Sequence, residues 1–255
     1  MTKKSILKQL KPWRDHAMRQ AWRPITAEGE GEGAGSKFAG AAWLAAGADW
    51  PACPTCRAAM PLFLQLNLAQ LPPALAETYG RGLIQLFYCT DCDEGWEAFS
   101  TTSLVRLIDP AGGASAAPPA GSFPALAITA WEALEDYPNP QDHDQLGLSY
   151  DYHAGPPPRI SVSCPAFGVA LDVIGDDELE GNISSAAPGD KLAGWPLWIQ
   201  GPEYPDCPEC HRQMRLVFQF DSEDHLPFTF GDAGTGHITQ CPEHTAVLAF
   251  GWACT

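Results

Sequence analysis

The stretch Trp50-Pro-Ala-Cys53-Pro-Thr-Cys56-Arg-Ala-Ala-Met60-Pro-Leu-Phe-Leu-Gln65-Leu-Asn67 runs a Cys-x-x-Cys turn straight into a row of alternating apolar residues. It returns 154 positions later as Tyr204-Pro-Asp-Cys207-Pro-Glu-Cys210-His-Arg-Gln-Met214-Arg-Leu-Val-Phe-Gln219-Phe-Asp221. The register holds outside the stretch as well. Lys37 falls on Lys191, Ala39-Gly40 on Ala193-Gly194, and Gly80-Arg-Gly82 on Gly234-Thr-Gly236. After a deletion of two residues, Cys89-Thr-Asp-Cys92 falls on Cys241-Pro-Glu-His244. Self-similarity of this length predicts two copies of one structural unit. The expected fold class is α+β: mainly antiparallel sheets, an internal duplication of two zinc-ribbon-like lobes, and a short N-terminal helix.

The repeated cysteines carry the chemistry. Structural zinc takes four Cys or His ligands, supplied as two close pairs separated in sequence. One expected site is Cys53, Cys56, Cys89 and Cys92; the other is Cys207, Cys210, Cys241 and His244. The pairs are separated by 32 residues in the first site and 30 in the second, longer than the common spacing, which a small inserted helix explains. The exchange of Cys92 for His244 suits a metal site and not a disulfide. His211 and His237 compete with His244 for the fourth position. The expected cofactor is two Zn²⁺ in structural roles, because four protein ligands leave no open position for water. Cys164 and Cys254 remain as incidental thiols.

The formal charge is −16, and it is unevenly placed. Residues 1–23 carry seven Lys and Arg against Asp15 alone, a net +6, which leaves −22 for the rest. Nucleic acid is excluded as a partner, since phosphate binding needs clustered basic side chains. A protein partner, and a basic one, fits the field better. No stretch approaches the roughly 20 apolar residues of a membrane span, and the basic N-terminus lacks the apolar run of a signal peptide. The expected location is cytoplasmic.

Four segments are expected: 1–36, a helix and a Gly/Glu-rich tether; 37–109, the first lobe; 110–190, a linker with an irregular connection; and 191–255, the second lobe. Trp13, Ala17 and Ala21 predict a helix over 12–22, docked on the body or free as a binding arm. Glu28-Gly-Glu-Gly-Glu-Gly-Ala-Gly-Ser36 reads as flexible. In the first lobe, Leu62, Leu64 and Leu66 alternate with Phe63, Gln65 and Asn67, as a half-buried strand requires. A short helix is expected over 71–80, with strands over 83–88 and 96–107. Residues 125–131 and 160–163 read as strands, and 136–158 as irregular. In the second lobe, strands are expected over 216–220, 228–230, 237–240 and 247–253.

Pro61-Leu-Phe-Leu-Gln65-Leu-Asn67, Gly82-Leu-Ile-Gln-Leu-Phe-Tyr88, Leu216-Val-Phe-Gln219-Phe-Asp221 and Phe230-Gly-Asp232-Ala-Gly234 resemble the YwqG-like bacterial family of unknown function. The resemblance implies an α+β, largely antiparallel, duplicated fold and brings no activity. The first lobe departs from the family's Gly-Gly-x-Pro opening, whereas Gly194-Trp-Pro196 keeps part of it.

The nearest approach to an active site is Asp221, Asp224 and Asp232, with Glu223 and His225 beside them. Clustered carboxylates hold cations or act as acid and base, but more often they accept local backbone N–H groups at strand ends and turns. The leading expectation is a zinc-stabilised acidic binding protein without catalysis, with Gln219, Asp221, Asp224 and Asp232 as ligand or partner contacts. Its most concrete version is an immunity protein that neutralises a basic bacterial toxin. The alternatives are a metal-dependent hydrolase built on Asp221, Asp224 and Asp232, or a scaffold subunit.

Overall fold

A computed structural model describes residues 3–92, 95–139, 142–174 and 186–255. The strands are β1 (Arg19–Glu28), β2 (Lys37–Phe38), β3 (Ala42–Leu44), β4 (Leu62–Asn67), β5 (Leu83–Tyr88), β6 (Ser103–Ile108), β7 (Ala114–Ala116) and β8 (Leu126–Asp136). They continue with β9 (Ser149–His153), β10 (Arg159–Cys164), β11 (Val169–Ile174), β12 (Lys191–Ala193), β13 (Arg215–Asp221), β14 (Thr235–Gln240) and β15 (Leu248–Ala253). One α-helix, α1, covers Lys3–Ala17. Among the described residues the structure is mostly antiparallel sheet with a single α-helix, an α+β architecture.

Ten strands form one sheet in the order β15-β14-β13-β12-β1-β8-β2-β4-β5-β6. Strands from 37–109 therefore sit on one side of the central pair β1–β8, and strands from 191–255 on the other. The end strands β6 and β15 meet, so the sheet nearly closes on itself. At this seam the Trp252 amide donates to the Trp96 carbonyl at 3.0 Å. Trp252 Nε1 reaches Tyr88 Oη at 2.9 Å. A single core fills the inside, with Phe38, Phe63, Ile84 and Tyr88 packed against Phe218, Phe220, Phe230 and Phe250 from the far half. Ring pairs such as Phe38–Phe218 at 5.8 Å and Tyr88–Phe250 at 5.6 Å take the edge-to-face geometry that aromatic quadrupoles prefer. Tyr79 ties the halves further, donating from Oη to the Leu216 carbonyl at 3.0 Å.

The pairing on the two sides of β1–β8 follows one scheme. Lys37 opposes Gln65 in β2–β4, and Lys191 opposes Gln219 in β12–β13. Ala39 and Gly40 take positive φ of 53° and 70°; Ala193 and Gly194 take 59° and 79°. Glycine is required at the second position because a carboxylate packs there. A Cβ on Gly40 would lie 2.6 Å from Glu30 Oε1, and one on Gly194 would collide with Asp136 Oδ2.

Several expectations change. The helix ends at Ala17, not at residue 22, and its buried stripe is Ile6, Leu10, Trp13 and Ala17. Residues 19–28 pair with β8 along their length and form a strand instead. β12 pairs only with Ala21 and Trp22; Pro24 follows where that pairing has ended, a place where a sheet tolerates proline. α1 docks on a separate three-stranded sheet, β11-β10-β9, built from part of the stretch read as irregular. The 29–36 stretch is bound: Glu30 accepts from Lys37 Nζ at 2.9 Å and from the Ala41 amide at 3.0 Å. Residues 71–80 contain a 3-10 turn at Pro73–Leu75, and 228–230 is not a strand. Of the 96–107 stretch only 103–107 is extended, in a strand that runs on to 108. β4 is buried on both faces, because Gln65 meets backbone on the outer face and needs no water.

Candidate metal centres

Both Cys-x-x-Cys turns lie just before a core strand and are folded alike. The Arg57 amide donates to the Cys53 carbonyl at 2.9 Å, and the His211 amide to the Cys207 carbonyl at 2.8 Å. Arg57 and His211 take positive φ of 69° and 57°, which swings the chain back on itself. The amides of Cys53 and Cys207 then donate to the carbonyls of Ala58 and Arg212, closing each turn. This geometry leaves both sulfurs of each turn facing one point.

The second pair arrives from the end of the neighbouring strand. Cys89 follows β5, and its amide donates to the Thr102 carbonyl; Cys241 follows β14, and its amide donates to the Val247 carbonyl. Cys53, Cys56, Cys89 and Cys92 form one group, and Cys207, Cys210, Cys241 and His244 another, each with its ligand atoms within 4.8 Å of one another. The Sγ atoms of Cys53 and Cys92 are 3.9 Å apart, and those of Cys56 and Cys89 are 3.5 Å apart. His244 Nδ1 lies 3.7 Å from Cys207 Sγ and 3.8 Å from Cys241 Sγ. Neither His211 nor His237 belongs to the group.

These spacings fit a metal ion. A tetrahedral ion with sulfur bonds of about 2.3 Å holds its ligands about 3.8 Å apart. A disulfide needs about 2.05 Å, and all nine cysteines are free. Glu243 and His244 N–H groups point at Cys241 Sγ from 3.4 and 3.3 Å. Burial pushes the Cys53 thiol up, but the amides of Cys56 and Thr55 outweigh it and hold the thiol at about 7. Burial opposes the amides of Cys210 and Glu209 in the same way at Cys207, which settles at about 6. Thiolate is the ligating form, so the backbone readies Cys53 and Cys207 for a cation. At Cys210 the Arg212 amide is outweighed by burial and the neighbouring thiols, which push the thiol up to about 11. Glu209 Oε2 stands 3.6 Å from His244 Nε2, on the side of the ring away from the sulfurs.

Residues 36–251 match the family described as a domain of unknown function, DUF1963. The chain belongs to this family. The match takes in all eight candidate ligands and nearly all of both sets of core strands; the N-terminal helix and the whole of β1 lie before it. No curated protein matches the chain. The family description attaches no reaction to the fold, so what this DUF1963 protein does has to be read from its own groups.

The carboxylate cluster is not arranged as the sequence suggested. Among the described residues, the third group close enough to share a cation is Asp190, Asp224 and His225; Asp221 and Asp232 are outside it. Asp190 was missed because its counterpart in the first half is Ser36, which shows no charge. Its Oδ1 accepts from the Asp221 amide at 2.7 Å, and its Oδ2 is 3.0 Å from His225 Nδ1. Asp221 Oδ2 accepts from the Gly189 amide, and Asp224 Oδ2 from the Asp190 amide. In the first half, Ser36 Oγ accepts from the Asn67 amide and Gln70 Oε1 from the Ser36 amide. The second-half carboxylates thus repeat a strand-fastening pattern that uncharged groups serve elsewhere. Gln219 is fully buried; its amide binds Leu197, Ala187 and Gly189 backbone and offers nothing to a partner. Asp232 is exposed in the 231–234 turn.

Proposed function

We propose that each four-ligand group holds one structural zinc ion, and that the two halves are copies of one YwqG-like unit. The protein they hold together is a non-catalytic binding protein of the bacterial cytoplasm. Its ligand is a basic protein, and neutralisation of a basic toxin is the most concrete form of that role. The observation that carries the binding reading is the −22 charge left on the body once the basic first 23 residues are set apart. Such a field steers basic partners and repels acidic ones. Closed ligand sets favour a structural metal, since catalytic zinc keeps a position open for water. Of the carboxylates considered as acid and base, Asp221 and Asp224 are engaged by backbone amides. Zinc favours the binding role in another way, by making the surface rigid before it meets its partner.

The test is capture from a lysate of the source cells, followed by a salt wash series. A basic protein recovered at low salt and released within roughly one Debye-length change, about 0.1 to 1 M salt, supports the reading. Capture of acidic proteins, or capture that ignores salt, overturns it.

A further inference from the structure

A cleft of about 200 Å³ opens at the seam where the sheet nearly closes. His237, Thr239 and Gly251 contribute from the sheet, Trp96 and Trp198 from the flanking loops, and Glu203 from the edge. Two polar side chains at this cleft are buried and lack a protein hydrogen bond, namely His237 Nε2 and Thr239 Oγ1. Only 6% of His237 and 3% of Thr239 is exposed. Buried polar atoms in native proteins are nearly always satisfied, so such a pair in a cleft calls for a ligand.

The other half of the sheet shows which ligand. Gln65 opposes Gln85, and Gln85 opposes Arg106; in the same order Gln219 opposes His237, and His237 opposes Gly251. Gln85 Nε2 donates to the Trp43 carbonyl at 2.7 Å, and Gln85 Oε1 accepts from Arg106 Nε at 3.0 Å. The Arg106 guanidinium carbon lies 5.1 Å from the centre of the Phe87 ring. His237 meets the Leu197 backbone as Gln85 meets Trp43. A carbonyl only accepts, so the imidazole donates there through Nδ1, and Nε2 is left as an unpartnered acceptor in the wall of the cleft. Where the first half has Arg106 to donate to that acceptor, the second half has Gly251, with the backbone of Trp96 and Ala98 close over its Cα and the cleft beside it.

We propose that the cleft binds a guanidinium group, the one that Arg106 supplies to the equivalent place in the first half. His237 Nε2 and Thr239 Oγ1 accept its N–H groups. The half-exposed ring of Trp96 is available to a planar cation, Trp198 packs on the His237 imidazole and backs it, and Glu203 supplies the counter-charge. The site stands on the cleft itself and not on the reading of a basic protein partner, which could fail without affecting it. Two sources supply a guanidinium, a free organic cation or an arginine side chain of a protein.

The test uses the full chain and two probes, agmatine and N-acetyl-L-arginine methylamide, followed by calorimetry and tryptophan fluorescence. Both should bind saturably, and N-acetyl-L-lysine methylamide should bind at least about tenfold more weakly, lacking the planar fork. Tighter binding of agmatine assigns a free cation, and tighter binding of the peptide-like probe assigns a side chain. His237→Leu should weaken both by about tenfold or more, while His237→Gln, which restores the acceptor found at Gln85, should stay within about threefold. If His237→Leu does not fold, Glu203→Gln decides, with an expected loss of about threefold or more. Absence of saturable binding, equal binding of the lysine probe, or undiminished binding in the folded variant overturns the proposal.

Discussion

Lys191 Nζ lies 2.8 Å from Asp136 Oδ2, and both side chains are fully buried between β12, β8 and the chain that follows. Asp136 also accepts from the amides of Trp195 at 2.8 Å and Ala187 at 2.7 Å, so its carboxylate pins three segments to the end of β8. Burial pulls the Lys191 ammonium below its usual range, with Asp136 opposing the shift. Lys37 has the corresponding contact with Glu30 at 2.9 Å, but Glu30 is 48% exposed.

Removing one member of a buried pair leaves the other charged and unpaired. Asp136→Ala should therefore cost about 3–5 kcal/mol in urea unfolding. Glu30→Ala should cost less, about 1–2 kcal/mol, because water can reach Lys37 from the Glu30 side. Equal losses would mean that the two pairs do not differ in the way their burial implies.

His237 supplies a pH dependence. Burial lowers it from an ordinary 6.5 to about 3, so the folded protein keeps the ring neutral where the unfolded chain takes up a proton. The stability tied to it is complete above pH 6.5 and is lost as pH falls toward 3. Between those limits the native protein should lose about 1.4 kcal/mol per pH unit more than a His237→Gln variant. Parallel profiles would contradict a buried neutral ring.

Much of this was legible in the sequence because the chain repeats its polar anchors with its cysteines. Lys37, Gln65 and Met60 recur at Lys191, Gln219 and Met214, and periodicity placed β4, β5, β13 and most of β14 and β15. β1 was not legible. Trp13, Ala17 and Ala21 fall at helical spacing, yet Ala21 belongs to a strand whose identity is set by pairing with β8, more than 100 residues away. The same holds for β9, in a polar stretch with no period. The guanidinium cleft was invisible for a different reason: Gly251 signals nothing until its register opposite His237 is known.

The helix carries its own expectation. Leu10 and Trp13 are fully buried against β10 and β11. Leu10→Ala should cost about 2–5 kcal/mol and raise hydrogen exchange in α1 and β9–β11 before the ten-stranded sheet. Uniform exchange across both sheets would show instead that they open as one unit.

The acidic residues near β13 should matter little to partner capture. Asp221→Asn paired with Asp232→Asn ought to leave capture of the basic partner within about twofold in a binding titration, since one carboxylate is tied to backbone and the other is a lone exposed charge. A tenfold loss would return this cluster to the functional surface.

Metal content tests the central claim most directly. The protein purified without added metal or chelator should contain two zinc ions per chain by elemental analysis, falling to about one in a Cys56→Ser or a Cys210→Ser variant. Fewer than two in the unaltered protein, or a metal other than zinc, would contradict the account.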